Sequence, residues 1–593
     1  MMLSDSRRLT GPNVYFNHCG AVLEALGPDC HEQNIASWQK YCQYAFHFLS
    51  WDAPQWYQRA HQAGATLGFS AAIDQLLTAT EINEWAWLSA INAHEFNAPG
   101  HLSADQTIAM QTLQRIATAE AEPNLLLLIE QANKNAWPVL LDEETVSVGF
   151  GAQTQIWPRQ ELPEFTNIKE FTPTQFPVLM VTGSNGKTTS VRLLAAMART
   201  QGLACTHNCT DGLFFNGELV EADDYSGPAG ARASLRHPQM QTAILETARG
   251  GLLRRGLACN EANVALVTNI SEDHFGEYGV FSLDDLARVK LSIARGLKQN
   301  GVLVLNASDS MLLKHGAVLK NKVAWFASDW HNPMIQSTLS AGNSVCAVKD
   351  GQVLLSLHGI HHDLGSVETM PLSFSGLARY NIENILGAAL SAAILGFSIA
   401  AIAETLQQFG RAHQDNPGRL QTWQFGDVRV LMDYAHNPDG IQGFLKIAQA
   451  FQDKGRLAVL LGQAGNRENS DIEKLAGVVA SFKPDWVVLK DMVGYERGRA
   501  VGEVPEILKA SLLKHNIPLA QIDICLDEIL AVRKLLVWAQ AGDVLALPVH
   551  GLKEREVVQS LLDTMQSMNG QAGQTLPDMP DLDADADKSD VAV

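Results

Sequence analysis

The sequence predicts a multidomain α/β protein: a separate N-terminal α+β domain, a central domain on a mostly parallel sheet, and a C-terminal Rossmann-like α/β domain. Three observations predict it. At 593 residues the chain is longer than one hydrophobic core can organise. From residue 176 onward, short apolar runs at 178–181, 243–245, 264–267 and 302–305 sit beside helical patterns or polar loops, as parallel strands covered by helices do. After Gln414-Asp415-Asn416-Pro417-Gly418, which reads as a linker, the alternation restarts with runs at 428–432, 457–461, 486–489 and 544–547.

In chain order, residues 1–170 mix Trp-rich, helix-like segments with no phosphate loop and form the expected N-terminal domain. Residues 171–414 form the central domain and 415–568 the C-terminal one. Residues 569–593 carry six Asp and one Lys from Gly570 on, with few large apolar side chains, and read as a disordered acidic tail. One uncharged run, residues 385–403, is long enough for a membrane span. It is rich in small residues and breaks at Gly396-Phe397-Ser398, so the expectation is a buried helical hairpin and no membrane association.

Bulk composition narrows the function classes. Hydrophobic residues at 46% and charged residues at 18% are ordinary for a globular chain. A formal net charge of −20 argues against nucleic acid as the partner, because phosphate backbones reward clustered Lys and Arg. Eight cysteines lie scattered without a CxxC pair, and the N-terminus has no apolar signal-peptide core, so a cytoplasmic protein with reduced thiols is expected.

The strongest local signal is Val178-Leu179-Met180-Val181-Thr182-Gly183-Ser184-Asn185-Gly186-Lys187-Thr188-Thr189, an apolar strand, a glycine-bearing turn and a helix start. Gly183 and Gly186 let the backbone approach a phosphate closely. The helix N-terminus offers N–H donors and the positive end of its dipole. Lys187 can reach the β/γ-phosphates and the Thr188 hydroxyl can ligate Mg²⁺. With Val181 where a Walker A motif has its first glycine, this is the shorter GxxGK[ST] variant, and it makes the central domain a P-loop-type ATPase domain. Downstream, Glu246 stands at the C-terminal end of one apolar run and His274 follows another in Asn269-Ile270-Ser271-Glu272-Asp273-His274. Both could approach the same triphosphate as metal ligands, although Mg²⁺ prefers oxygen and a strand-end histidine taken alone is more often a hydrogen-bonded surface residue.

Together these residues resemble the Mur ligase superfamily. Gly183 to Thr189 is similar to the nucleotide loop of Mur ligases and folylpolyglutamate synthetases. Asp433-Tyr434-Ala435-His436-Asn437-Pro438 resembles the signature of their C-terminal domain, and Asn381-Ile382-Glu383-Asn384 also fits. The more specific likeness is to the Mur ligase-like region of cyanophycin synthetases. It rests on residues 245–256, 267–274, 415–419 and 494–499, and on Leu9-Thr10-Gly11-Pro12-Asn13 at the start. Only about 170 residues precede the loop, too few for the ATP-grasp domain those enzymes carry between their N-terminal and Mur-like parts.

The resemblance implies an ATP- and Mg²⁺-dependent ligase that activates a carboxylate as an acyl phosphate for attack by an amine. The favoured donor is a basic amino acid and the favoured acceptor an aspartate-containing peptide; a separately encoded ATP-grasp protein is a possible partner and a homo-oligomer a possible state. Competing readings are a non-catalytic ATP-binding partner of such a protein and a folylpolyglutamate-type ligase. By the same resemblance Gly183, Ser184, Asn185, Gly186, Lys187, Thr188 and Thr189 hold nucleotide. Glu246 ligates the first metal and His274 the second. Lys290 falls where several Mur ligases carry a carbamylated lysine, which would ligate the second metal; an ordinary surface lysine on a helix is the alternative. Asn381 contacts the nucleotide, Arg419 the phosphates and Asp433 the ribose, while His436 and Asn437 line the cleft between domains. Arg249, Arg254 and Arg255 suit a carboxylate-rich acceptor, with pairing to local acids as the alternative. Asp471 and Glu473 suit a cationic donor, with a solvated helix face as the alternative.

Overall fold

The computed structural model describes residues 2–92, 102–163, 176–273, 275–568 and 576. His274, the boundary expected at residues 170–171 and, apart from residue 576, the acidic tail lie outside the described residues. Contact clustering divides the chain into two units, one of Met1–Ser271, Phe275–Val367 and Glu383–Gln407, the other of Glu272–His274, Glu368–Ile382 and Gln408–Val593.

In the first unit, strands Met2–Leu9, Gly20–Leu26, Trp56–His61 and Gly64–Ser70 form an antiparallel sheet with the third and fourth strands exchanged in order. Alternation decides its two faces. Ala21, Leu23, Ala25, Ala65, Leu67 and Phe69 pack with Trp38 and Trp85 from helices Glu32–Leu49 and Leu76–Ala90. The opposite face carries a polar row across all four strands, Asp5, Glu24, Thr66 and Arg59, paired in register. The Leu9–Asn13 motif docks backbone to backbone. Thr10 N–H donates to Arg255 O at 2.9 Å, and Leu257 N–H to Pro12 O at 2.7 Å. A Cβ at Gly11 would lie 2.2 Å from Leu257 O, so only glycine fits.

The central sheet has eleven strands. Seven consecutive ones are parallel, in the order Cys205–Cys209, Thr242–Glu246, Val178–Thr182, Ala262–Val267, Leu297–Asn306, Lys322–Ala327 and Val345–Lys349. All four apolar runs read as strands lie among them. Antiparallel ribbons close both edges, Gly212–Phe215 with Glu218–Glu221 and Gln352–Leu357 with Ile360–Ser366. The loop strand Val178–Thr182 sits between the strands that end at Glu246 and at Val267, so residues from both neighbours meet beside the loop.

Residues 385–403 span two helices, Arg379–Leu395 and Ile399–Gln408, separated at Gly396, whose φ of 100° only glycine adopts freely. Among the described residues no helix is long and apolar enough to cross a membrane. All eight cysteines are free thiols.

The second unit holds a six-stranded sheet in the order Gln421–Phe425, Val428–Asp433, Val544–Pro548, Leu457–Leu461, Trp486–Leu489 and Ile522–Ile524. All neighbours are parallel except the first pair. Separate apolar cores cover its two faces. The segment read as a linker is packed instead. Asn416 and Gly418 are buried, Asp415 accepts from Gly410 N–H and Ala412 N–H, and Gly418 N–H donates to Gln421 Oε1. Residues 368–382 cluster with this unit, and its main stretch begins at Gln408, ahead of the expected boundary.

Candidate functional site

The loop 183–186 leaves the centre of the parallel sheet and is held by the end of the next strand. Ser184 N–H donates to Asn269 O (2.9 Å), and Asn185 N–H to Asn269 Oδ1 (2.9 Å). Thr268 Oγ1 donates to Asn185 O (2.6 Å), while Ser184 Oγ and Ser271 exchange two bonds. A Cβ at Gly183 would lie 1.8 Å from Thr268 Oγ1, and one at Gly186 would lie 2.1 Å from Asn384 Oδ1. Both glycines also have positive φ, 153° and 81°. Close approach and backbone conformation therefore both demand glycine. Helix Lys187–Thr200 begins at Gly186 with no side-chain cap, which places the positive end of its dipole at the loop.

Lys187 Nζ folds back over this loop, donating to Gly183 O at 3.0 Å and Ser184 O at 3.1 Å. Thr188 and Glu246 are buried together, with Thr188 Oγ1 donating to Glu246 Oε2 at 2.9 Å. A hydroxyl and a carboxylate side by side are the hard oxygen donors that Mg²⁺ takes, so the donor set fits that ion. Thr189 is buried on the next step of the helix. Lys290, 1% exposed, reaches in from helix Leu283–Leu291 and donates to Gly183 O at 2.8 Å. Among the described residues no three His, Cys, Asp or Glu side chains gather as a metal cluster.

The three arginines read against an acceptor have partners within the protein. Arg249 pairs with Glu277 at 3.2 Å, Arg254 Nε donates to the Tyr278 hydroxyl at 2.9 Å, and Arg255 pairs with Glu143 at 3.4 Å. Sequence reasoning missed Thr268, Asn269, Ser271 and Asn384 as the residues that shape the loop. A signal existed for Asn384, which stands one helical turn beyond Asn381 in a motif already singled out.

In the second unit, Asn381 Nδ2 donates to Leu372 O at 3.0 Å. Arg419 lies over the Tyr434 ring at 4.3 Å and Arg555 approaches it at 5.1 Å. Asp433 ends its strand and accepts from Leu420 N–H at 2.7 Å. Burial pushes its carboxyl above the usual range, against the opposing pull of Arg419. His436 Nδ1 lies 3.2 Å from Tyr434 O, and Asn437 Oδ1 accepts from Gly440 N–H at 2.8 Å as the N-cap of helix Pro438–Phe451. Glu473 pairs with Lys514 at 3.2 Å. Burial raises the Asp471 carboxyl against the opposing pull of Lys474 and Arg467.

Beneath Tyr434 lies a group of residues that no sequence signal pointed to. Lys490, fully buried after strand Trp486–Leu489, contacts Glu528 and donates to His550 Nδ1 at 2.8 Å. An ammonium can only donate, so Nδ1 is the acceptor and the ring proton sits on Nε2. Nε2 faces Ala435 O at 3.0 Å and donates to it.

The two stretches that carry these residues match known family models: the Mur ligase middle domain over residues 181–392 and the Mur ligase glutamate ligase domain over residues 418–547. The chain is 32% identical over 390 residues to a cyanophycin synthetase of Synechocystis sp., covering 66% of this chain and 44% of that protein. It therefore spans less than half the length of that relative. It is 27% identical over 388 residues to the UDP-N-acetylmuramoyl-L-alanyl-D-glutamate–2,6-diaminopimelate ligase of Ectopseudomonas mendocina, covering 64% of this chain and 73% of that one. Among solved structures it is similar to E. coli FolC in complex with ADP, at a TM-score of 0.47 and 16% identity over 66% of this chain and 90% of that one. With both domain models matched around the loop and the 433–437 turn, the chain belongs to the Mur ligase family, whose members are ATP-dependent ligases.

Proposed function

We propose that this protein is an ATP-dependent amide ligase that joins an amino acid, basic in character, to a carboxylate of an aspartate-containing acceptor. The observation that carries the reading is the glycine cradle at 183–186 with the Thr188–Glu246 oxygen pair beside it. A carboxylate is a poor electrophile, since its charge is delocalised and oxide would have to leave. Transfer of the ATP γ-phosphoryl group removes both obstacles, and attack by the amine then expels phosphate. The transferred group carries spread negative charge, so the protein's task is positioning and cation placement.

In this reading the start of helix Lys187–Thr200 and Lys187 hold the phosphates, and Thr188 with Glu246 holds Mg²⁺. When bound, the ion offsets charge on the phosphoryl oxygens. Lys290 fixes Gly183 from behind. Arg419, Asp433 and His436 belong to the nucleotide's other contacts, and Asn437 shapes the turn that presents them. The choice of donor and acceptor rests on the likeness to cyanophycin synthetases.

The test is phosphate release with ATP and Mg²⁺ across an array of amino acids and aspartyl dipeptides, read in parallel by mass spectrometry. Release with arginine or lysine, plus a product one condensation heavier than the dipeptide, is the expected result. Release only with folate- or glutamate-type acceptors, added to the same array, sinks the substrate assignment. No release with any pair sinks the ligase reading.

A further inference from the structure

The polar face of the N-terminal sheet is buried against residues 276–285, the segment that leads into helix Leu283–Leu291. Arg59 spans the contact, donating to Asp285 Oδ1 at 2.5 Å and to Gly279 O. Arg7 lies over the Tyr278 ring at 4.5 Å, and the His61 ring packs on Phe281 at 5.1 Å. Gly279 has a φ of 70°, and a Cβ there would lie 2.6 Å from Thr66 Oγ1 and 2.9 Å from Arg59 Nη2. The segment is thus pressed onto the sheet at a point where only glycine fits.

Asp285 is the hub of this contact. One carboxylate oxygen takes Arg59 and Arg288, and the other takes Phe281 N–H at 3.0 Å. Asp285 also stands in the first turn of the helix, whose N-cap Ser282 accepts from Asp285 N–H at 3.1 Å. Five residues later the same helix presents Lys290 to Gly183 O. A continuous hydrogen-bonded path therefore runs from Arg59 through Asp285 and one short rigid helix to the phosphate loop.

We infer that the N-terminal domain is a positioning module for the nucleotide loop: Arg59, clamped on Asp285 and Gly279, sets the helix that carries Lys290. Arg59 is a positioning residue and touches no substrate. Coupling through packed elements of this kind has a physical warrant only if loosening one end moves the other. The nucleotide arm of the test rests on the ligase reading; the exchange arm does not.

The experiment compares Arg59→Met, Arg59→Lys, Gly279→Ala and a control, Arg8→Met, on the neighbouring exposed position of the first strand. Amide hydrogen exchange of the unliganded full chain is the first readout. Arg59→Met and Gly279→Ala are expected to speed exchange across residues 276–291 about tenfold while the helices behind the N-terminal sheet keep their protection. The second readout is ADP affinity by calorimetry, expected to weaken roughly fivefold in those two variants, less in Arg59→Lys, and not in Arg8→Met. Unchanged exchange in residues 276–291 overturns the inference, as does a gain spread evenly over the N-terminal sheet. Faster exchange with unchanged ADP affinity overturns the coupling to the loop. Absence of ADP binding in the parent chain, with the exchange result intact, counts against the ligase reading and not against the clamp.

Discussion

The phosphate loop and the 433–437 turn occupy like positions, each at the C-terminal end of a parallel strand in its own sheet, yet they are fixed by opposite means. The loop is shaped from the side: Thr268 and Asn384 fill the space where a Cβ would stand, and the loop's own glycines yield to them. The turn has no glycine within it. It is fixed from below, by His550 donating to Ala435 O and by Lys490 and Glu528 buried behind that ring. A loop that must approach an anion closely keeps its own side chains small and takes its shape from neighbours, Asn269 accepting from Ser184 N–H and Asn185 N–H. A turn that presents side chains can rest on buried charge, but then its stability depends on every member of the group.

That contrast predicts a separation between activity and stability. The largest effect is expected from Lys187→Ala. Phosphate release should fall by about 10³-fold while the melting temperature changes little, because the two loop carbonyls that Lys187 contacts are main-chain groups of a loop otherwise held by Thr268 and Asn269. Release within tenfold of the parent would remove the loop from the mechanism. Next comes Lys490→Met, which leaves Glu528 buried without its cation and should cost about 3 kcal/mol in urea unfolding of the second unit. Adding Glu528→Gln should recover part of that loss. A cost in the single variant below about 1 kcal/mol would mean the charge group is not what holds the turn.

The third effect is one of pH, and it spans both regions. Burial holds the His207 ring, beside the loop strand's neighbours, at a pKa of about 3, with Arg192 and Arg199 adding to the shift. Burial, and then Lys490, pushes His550 well below its ordinary value. An unfolded histidine titrates near 6.5, so below that pH the unfolded state takes up a proton that the native state refuses. Stability is therefore full above about pH 6.5 and falls as pH drops, by about 2 kcal/mol at pH 5 for His207 and in the same direction for His550. His207→Leu should flatten that slope by one histidine's share; an unaltered slope between pH 7 and 5 contradicts the assignment. The smallest effect belongs to Asn437→Ala, which removes the cap of helix Pro438–Phe451 and should cost about 1 kcal/mol. A loss of turnover without that loss of stability would give Asn437 a contact with substrate that its capping bond does not explain.

The same contrast explains what could be read in the sequence. The loop, Glu246 and the eight apolar runs were legible because each is a contiguous stretch whose chemistry or period is local. The group under the turn was not, since Lys490, Glu528 and His550 stand 38 and 22 residues apart and none carries a motif. The arginines 249, 254 and 255 show a different limit. Sequence displays their charge but not Glu277, Tyr278 and Glu143, which occupy them in the folded chain. The Asn416-Pro417-Gly418 stretch has linker composition, yet Asn416 and Gly418 are buried, with Gly418 bonded to Gln421 and packed against the Arg555 side chain.

The discontinuity of the second unit has a consequence for how the protein is made. Residues 368–382 leave the ribosome well before strand Val544–Pro548, yet Ala378 belongs to the same core as Val544, and the Tyr380 ring packs beside Gly443. At ordinary elongation rates that wait lasts roughly 10–30 s. For that interval Phe374, Ala378 and Tyr380 have no finished core to enter.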